Sequence, residues 1–482
     1  MKRIALWLGP IAAIAVGYAV AAAGIGNPAA WTAGVAVLCA VWWVTEPIPI
    51  PATSLLPMAV FPLVGVVSSA EVGQSYGHRM ILLLMGGFIL STAMEKSGVH
   101  RRLALAMVRL CALGPRALIG GAGETASGGA ATDEVTGRRL VIGFMFATAS
   151  ISMWVSNAAT TLMMLPIAGA TLERSRNPRL RIAVLLGIAY SASLGGVATP
   201  IGTPPNLLCM QEYAAVTGSE PTFVAWMSWG LPVALAMLPV VAIWLTRGLG
   251  KPAEIDLPEV GSWRTAEVRT LAVFGVTALL WITRREPFGG WSDWLGLPTA
   301  NDASVALLAV VAMFLIPSGD PQSEADPRPR LLDWERAVRI PWGMLLLFSG
   351  GMVLARGFSN SGLSDALGQS LGGLASAPTP LLVGGLCLAV TFLTEVTSNT
   401  ATTALLMPLL GAMAVANNVE PGLLMFPAAV SASFAFMLPV ATVPNAAVYG
   451  AGIETRDMAR EGFVLNLLGA VVVTVLAMLL LA

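Results

Sequence analysis

Apolar runs long enough to cross a lipid bilayer recur from one end of this chain to the other, for example at residues 11–23, 33–44, 229–245 and 464–482. Of the 482 residues, 56% are hydrophobic and 11% are charged, whereas soluble domains carry about 25% charged residues. A bilayer core accepts only helices or closed barrels, because backbone polar groups must be bonded internally. The alternation that is typical of barrel strands is absent. The sequence therefore predicts an all-α, polytopic membrane protein.

We place eleven membrane helices at residues 5–24, 30–45, 51–66, 79–95, 181–208, 223–246, 268–284, 303–317, 342–357, 425–450 and 462–482. Eleven spans put the two ends of the chain on opposite sides of the bilayer. All Lys and Arg residues then fall on the side of the N-terminus, except Arg79, Arg284, Arg285 and Arg356. Because cytoplasmic loops are enriched in Lys and Arg, we expect a multi-pass protein of the cytoplasmic (inner) membrane with a cytoplasmic N-terminus.

Two apolar stretches, residues 140–172 and 381–416, have the wrong length for simple spans. Each exceeds one crossing of about 20 residues and falls short of two. We interpret each as a re-entrant helical hairpin that enters and leaves on one side, and the two hairpins enter from opposite faces. A Ser-Asn pair lies at the middle of each stretch, Ser156-Asn157 in the first and Ser398-Asn399 in the second.

The two halves of the chain carry matching motifs in the same order. SNAATT (156–161) matches SNTATT (398–403), and SASLGGVATPIGTPPN (191–206) matches SASFAFMLPVATVPN (431–445). Inverted repeats whose interrupted helices meet at mid-membrane are typical of secondary transporters. We therefore divide the chain into an N-terminal transmembrane helix (1–30) and two inverted repeats (31–250 and 251–482).

Within the first repeat, we expect scaffold helices at 31–116, a cytoplasmic loop at 117–139, and the hairpin with transport helices at 140–250. Within the second repeat, scaffold helices occupy 268–373, and the hairpin with transport helices occupies 381–482.

The hairpin tips and the strings GTPPN (202–206) and ATVPN (441–445) predict a central binding site. Proline interrupts a helix, because it lacks the amide donor and clashes with the preceding turn. Ser and Asn cap helix starts, and the free amides and dipole of a helix start hold a carboxylate or sulfate. Hydroxyl and unpaired carbonyl oxygens at the same breaks can coordinate a small hard cation. We find no buried Lys or Arg near either tip, so bound cations would balance the anion's charge and couple the two species.

On these motifs, together with WWVTEPIPIPATSLLP (42–57), the chain resembles the divalent anion–sodium symporter family along essentially its whole length. That family includes sodium-coupled dicarboxylate and citrate transporters. The resemblance implies symport of a small di- or tricarboxylate, such as succinate, with Na+ as the coupling ion. It also implies a homodimer in which a mobile transport part moves against a scaffold like an elevator.

The resemblance further implies the residues of the site. One sodium site would comprise Ser152, Ser156, Asn157 and Gly202, and the other Thr394, Ser398, Asn399 and Ala441. The substrate would meet Ser156, Asn157, Ala158, Thr203, Ser398, Asn399, Thr400 and Thr442. The chain departs from the family pattern at Ala158, which lacks the expected hydroxyl, and at Val443, where the family usually has proline.

Two further transport functions stay open, namely sodium-independent dicarboxylate exchange and sodium-coupled sulfate transport. An enzyme would need a nucleophile–base pair or a metal cluster at depth, but the two histidines, His78 and His100, lie outside the tips. A channel would need one continuous pore, whereas two opposed half-depth hairpins favour an occluded central site. The net charge is zero, whereas nucleic-acid-binding proteins typically carry an excess of basic residues.

Overall fold

A computed structural model shows that the described part of the chain is mainly helical. The structure describes residues 2–113, 135–173, 175, 177–249, 252–253, 261–285, 289–321, 329–364, 366 and 378–481. Most of the predicted loop at 117–139, and residues 367–373 of the predicted second scaffold segment, lie outside this part of the chain. Two short strands, β1 (Val135–Thr136) and β2 (Pro252–Ala253), pair antiparallel.

The helices of the first half are α1 (Lys2–Ala22), α2 (Asn27–Thr45), α3 (Ile50–Leu63), α4 (Ser69–Tyr76), α5 (Arg79–Ser97), α6 (Val99–Leu113), α7 (Gly137–Ser152), α8 (Asn157–Leu172), α9 (Pro178–Val197), α10 (Pro204–Thr217) and α11 (Phe223–Thr246). Those of the second half are α12 (Thr265–Ile282), α13 (Gly290–Trp294), α14 (Asp302–Leu315), α15 (Trp334–Ala337), α16 (Trp342–Asn360), α17 (Thr379–Thr394), α18 (Asn399–Ala416), α19 (Gly422–Ala432), α20 (Val443–Gly450) and α21 (Thr455–Leu481).

Nine helical segments of the described chain are long and apolar enough to cross a membrane, and further apolar helices are shorter. The predicted spans at 51–66 and 303–317 correspond to the 14-residue helices α3 and α14. The predicted span at 425–450 is divided into α19 and α20. The chain is thus a multi-pass helical membrane protein, while the total of eleven spans stays a prediction.

Each helix break includes the first two residues of a proline motif and extends from there towards the N-terminus. The first break is the segment 198–203, between α9 and α10, and the second is the segment 433–442, between α19 and α20. The first two residues of each motif, Gly202-Thr203 and Ala441-Thr442, lie in the breaks, and Pro204 and Pro444 occupy the first turns of α10 and α20. Amides in a first turn have no acceptor within the helix, so proline is tolerated there.

Each predicted hairpin is a pair of helices joined by four residues, 153–156 between α7 and α8 and 395–398 between α17 and α18. The broken helix of each half packs against its own hairpin, α9 against α7 and α8, and α19 against α17 and α18. Beyond the breaks the halves cross, since α10 packs against α18 and α20 packs against α8. This crossing brings the two tips and the two breaks to one place. Entry of the hairpins from opposite membrane faces stays a prediction.

Buried hydrogen bonds join the two halves at this crossing. The hydroxyl of Tyr190 on α9 donates to the carbonyl of Phe436 in the second break at 2.8 Å. Close backbone approach also requires glycine: a side chain at Gly195 would collide with the carbonyl of Ala149 on α7. Helix α9 is therefore fixed both to the second break and against the first hairpin by contacts that leave little room for variation.

Candidate functional site

The first hairpin tip is a capped helix start. Ser156 precedes α8, and its hydroxyl accepts a hydrogen bond from the backbone N–H of Ala159 at 3.3 Å. Ser156 thus caps a helix start, as its residue type favours. The first turn of α8 therefore starts at Asn157, with its remaining amides and the positive end of its dipole at the tip.

Behind this tip, oxygen atoms from several parts of the chain converge on the side chain of Asn157. Ser152 Oγ lies 2.7 Å from one terminal atom of the Asn157 amide and donates to Ala192 O at 2.8 Å. The same amide atom lies 3.0 Å from Ala192 O and 3.3 Å from Gly202 O. If this atom is nitrogen, it donates to the surrounding oxygens. If it is oxygen, four oxygens face one another, as they do around a small cation.

Space for this amide depends on a glycine. A side chain at Gly196 would collide with the Asn157 amide, because its Cβ would lie 2.4 Å from one amide atom. The adjacent residues Gly195 and Gly196 therefore leave room for the α7 backbone and for the Asn157 side chain, respectively.

The second tip repeats only part of this geometry. Thr394 Oγ1 donates to Ala432 O at 2.9 Å, which corresponds to the contact between Ser152 and Ala192 in the first half. The amide oxygen of Asn399, however, accepts from the backbone N–H of Thr400 at 2.7 Å and from its hydroxyl at 3.1 Å. Ser398 precedes α18 but forms no side-chain capping bond. The two tips thus share their backbone plan and differ in how the asparagine is used.

Two asparagines of the proline motifs hold the breaks in shape. Asn206 Nδ2 donates to Gly196 O at 2.8 Å and to Thr199 O at 2.7 Å. Asn445 Nδ2 donates to Ala435 O at 2.8 Å and to Leu438 O at 3.0 Å. Both side chains are fully buried, and they satisfy carbonyls that the broken helices leave without a partner.

Glu395 anchors the second break. Its carboxylate accepts from the backbone N–H groups of Met437 and Leu438 at 2.9 Å each, and from Asn466 Nδ2 at 2.7 Å. The position that pairs with Glu395 in the first half is Met153, so this anchor has no counterpart there. These contacts orient the loop at the second tip.

The tips and breaks enclose a cavity of about 350 Å³. Its lining includes all the predicted substrate-binding residues except Ser398: Ser156, Asn157, Ala158, Thr203, Asn399, Thr400 and Thr442. Of the predicted sodium ligands, Gly202 also lines the cavity. Ser152, Thr394 and Ala441 are buried behind it.

The cavity also has lining residues that the sequence did not indicate. Ser91, Thr92 and Glu95 on α5 belong to it, as does Arg339, which precedes α16. Glu95 and Arg339 are exposed, so the cavity extends to the end of the molecule where they lie. We expected no buried Lys or Arg near the tips, and Arg339 adds an exposed one. The Ser-Thr pair in α5 was the available signal, but single hydroxyls in apolar helices are common packing residues.

The sequence matches a family model described as "Citrate transporter" over residues 40–426. Among similar proteins, the sodium-dependent dicarboxylate transporter SdcS of Staphylococcus saprophyticus is 37% identical, with 90% of this chain and 82% of that protein covered. SdcS of Staphylococcus aureus is 35% identical over the same shares.

Two solved structures have a similar fold. The YdaH transporter of Alcanivorax borkumensis matches with a TM-score of 0.53 and 14% identity, covering 86% of each chain. MtrF of Neisseria gonorrhoeae, described with a class of antimetabolite efflux pumps, matches with a TM-score of 0.58 and 11% identity, covering 87% of this chain and 83% of that one. At these identities the likeness concerns the fold.

Proposed function

Since this chain belongs to the citrate transporter family, whose members are transporters and not enzymes, we propose that it carries a small dicarboxylate together with sodium across the cytoplasmic membrane. The observation that carries the proposal is the cavity between the two hairpin tips, which seven predicted substrate residues line. The names of the SdcS relatives support both the dicarboxylate and the sodium dependence.

Four helix starts at the cavity explain how an anion is held. The first residues of α8 and α18, Asn157 and Asn399, line it, and so do Pro204 of α10 and Pro444 of α20. Each helix start carries a positive charge of roughly +0.5, so four starts supply on the order of +2. This amount matches a dianion, and the two tips give it two separate points of attachment.

The oxygen cluster behind the first tip supports a sodium site. With its oxygen turned inward, Asn157 joins Ser152 Oγ, Ala192 O and Gly202 O as ligands. Hard cations prefer such oxygen ligands. Sodium would fix this orientation of the amide, and that would order the start of α8 against which the substrate binds. Binding of cation and anion would then be coupled through one side chain.

A second sodium site follows from the pseudo-symmetry of the halves. Thr394 and Ala432 O occupy the positions of Ser152 and Ala192 O. To complete this site, the Asn399 amide must leave Thr400 and turn towards the second break. We therefore propose that the second site forms only when the ion or the substrate arrives.

The side of entry follows from the charge pattern. The cavity extends to the Arg339 end, which the distribution of Lys and Arg assigns to the cytoplasm. We infer that this structure is open to the cytoplasm and that the hairpins, with α9–α10 and α19–α20, shift as an elevator-like transport part. The homodimer implied by the family resemblance would hold the scaffold still in the bilayer.

Uptake by purified protein in liposomes tests the function. Labelled succinate should accumulate when an inward sodium gradient is imposed and should not accumulate when potassium replaces sodium. Asn157→Ala should reduce sodium-driven uptake at least tenfold, whereas Asn417→Ala, at the far end of α18, should retain it.

Other results would contradict the proposal in different ways. Equal uptake in potassium that depends on dicarboxylate inside the liposomes would indicate exchange without sodium. Sodium-driven uptake of sulfate in preference to succinate would replace the substrate. Absence of any transport with folded protein would reject the function itself.

A further inference from the structure

A second, larger cavity lies at the other end of the molecule, away from Arg339. It has a volume of about 610 Å³ and lies between α5, α10, α16 and α18. The lining residues with polar side chains include His78, Arg79, Gln211, Glu212, Glu220 and Arg356. None of them belongs to the site described above. We call this space the Glu212 cavity.

Two buried side chains of α10 in this cavity have oxygens without a partner. Glu212 is 8% exposed and Gln211 is 5% exposed. Gln211 Oε1 has no hydrogen-bond partner. Within the part of the chain that the structure describes, Glu212 forms no hydrogen bond or ion pair either. A carboxylate and an amide oxygen therefore line the same cavity, and both lack a donor.

The cations around the cavity are bound to other groups. Arg79 forms an ion pair with Glu220 at 2.5 Å. Arg356 Nη1 lies 3.4 Å from Glu71 O and 3.4 Å from Gln74 Oε1. His78 Nδ1 accepts from the backbone N–H of Met80 at the start of α5.

The other elements packed against α10 bring no cation to Glu212. Helix α18 (Asn399–Ala416) has no titratable side chain, and Glu420, which precedes α19, accepts from Tyr213 Oη at 3.0 Å. The nearest titratable groups on α10 itself are Cys209 and Tyr213, and neither is a cation. Glu212 is thus an acidic group that the described residues do not neutralise.

A largely buried carboxylate that has no partner is disfavoured in its ionised form, and a bound proton or metal ion neutralises it. Acidic residues that are buried among the helices of a membrane protein are rare and commonly belong to ion pathways. We propose that Glu212, with Gln211 Oε1 beside it, binds one small monovalent cation, either H+ or Na+. This site is separate from the two sodium sites at the hairpin tips.

The position of Glu212 gives the cation a role, and this step rests on the proposed function. Helix α10 follows the first break and belongs to the proposed transport part, whereas α5 and α16 belong to the scaffold. When α10 slides along α16, against which it packs, an unpaired carboxylate would cross the interface between them. The bound cation removes that charge, so loading of Glu212 would be required for the movement.

Infrared difference spectroscopy of the purified full-length protein tests the site without any transport assay. A protonated carboxyl group has its own C=O stretching band, which disappears on ionisation. We expect this band between pH 6 and pH 9 in sodium-free buffer, and we expect its loss in Glu212→Gln. In Glu212→Asp the band should shift, which assigns it even where Glu212→Gln folds poorly. Glu420→Gln is the matched control and should retain the band.

The two cations give different results in the same experiment. If the band persists when sodium is added at constant pH, the occupant is the proton; if sodium removes it, the occupant is Na+. A wild-type spectrum without any band that Glu212→Gln or Glu212→Asp alters would overturn the proposal, because Glu212 would then stay ionised with no cation. This outcome is independent of whether the liposomes take up succinate.

Discussion

Ala158 is the position where the two hairpin tips differ most plainly at the scale of single residues. It lines the central cavity opposite Thr400, its counterpart in the second tip. Thr400 directs its hydroxyl to the Asn399 amide and can offer it to an anion, whereas Ala158 offers only its backbone. The first tip therefore has one hydroxyl fewer.

We expect Ala158→Thr to tighten dicarboxylate binding. A hydrogen bond to a charged group contributes about 1.5–3 kcal/mol, which corresponds to roughly tenfold or more in the dissociation constant. Succinate titration of purified protein in saturating sodium would measure the change. Ala159→Thr is the control, since Ala159 lies outside the cavity lining. Equal or weaker binding in Ala158→Thr would argue against a clamp made by both tips.

The sequence indicated the residues of the tips better than their roles. Asn157 and Asn399 occupy equivalent positions in matching strings, so the sequence predicts equal use of the two. The structure differs because the amide of Asn157 meets carbonyls of α9 and of the first break, whereas that of Asn399 meets its own neighbour. This difference arises from tertiary contacts, which the two sequence motifs by themselves do not reveal.

At the scale of elements, the second break depends on one carboxylate. Glu395 Oε1 accepts from Met437 N–H and Asn466 Nδ2, and Oε2 accepts from Leu438 N–H. Asn466 also accepts from Phe436 N–H through Oδ1 at 3.2 Å. The hairpin tip, the break and α21 are thus joined by one buried polar network.

We expect Glu395→Gln to loosen this break. An amide has one acceptor oxygen, so its NH₂ group would face at least one of the three donors, and an unsatisfied buried group costs about 1–3 kcal/mol. Thermal unfolding should occur at a lower temperature. The sodium concentration that gives half-maximal uptake should rise, because Ala441 of the proposed second sodium site lies in the same break.

The control for this variant is Glu335→Gln, which replaces an exposed glutamate in α15. A sodium dependence and an unfolding temperature that both match the wild type would show that the network does not hold the break.

The positions of the breaks show what the sequence lacks at this scale. Each break holds a proline of its own, Pro200 in GGVATP and Pro439 in FAFMLP, but the helices already end before it, at Val197 and Ala432. The helices end earlier because Asn206 and Glu395 bind the groups that are released there. These bonds connect residues that are 7 to 43 positions apart, and local pattern cannot show them.

At the scale of the whole molecule, an ion pair joins the proposed scaffold and transport part at the end opposite the central opening. Arg79 at the start of α5 contacts Glu220 in the connection after α10. Because the pair exists in the state that is open at the Arg339 end, we expect it to stabilise that state relative to the alternative.

We therefore expect Glu220→Gln to shift the population towards the other state. Arg79 is about half exposed, so the pair contributes only about 0.2–1 kcal/mol, a shift of up to roughly fivefold. The measurement is the labelling rate of a cysteine introduced at Ser364, which also lines the Glu212 cavity, in a background without the native cysteines. We expect this rate to rise as the cavity opens.

The double variant Arg79→Glu with Glu220→Arg restores an ion pair of reversed direction and should return the labelling rate to that of the parent. Glu420→Gln controls for the loss of a charge nearby. Unchanged labelling in Glu220→Gln would mean that the pair is present in both states.

The overall architecture was the part that the sequence predicted most completely. Apolar runs gave the helical membrane class, and the matching motifs gave two hairpins and two broken helices that meet. The number of spans stays a prediction, because α3, α14 and the pair α19–α20 are too short to be assigned as spans by length alone. The assembly of two chains also stays a prediction.

The four helix starts around the central cavity have a consequence for how such a protein changes over generations. Their attraction for an anion comes from peptide groups, which every residue except proline supplies in full, so no single codon change removes it. Side chains around the cavity can be exchanged while this attraction persists. Substrate specificity can thus shift to an acid of different shape by successive substitutions, and each intermediate protein still binds an anion.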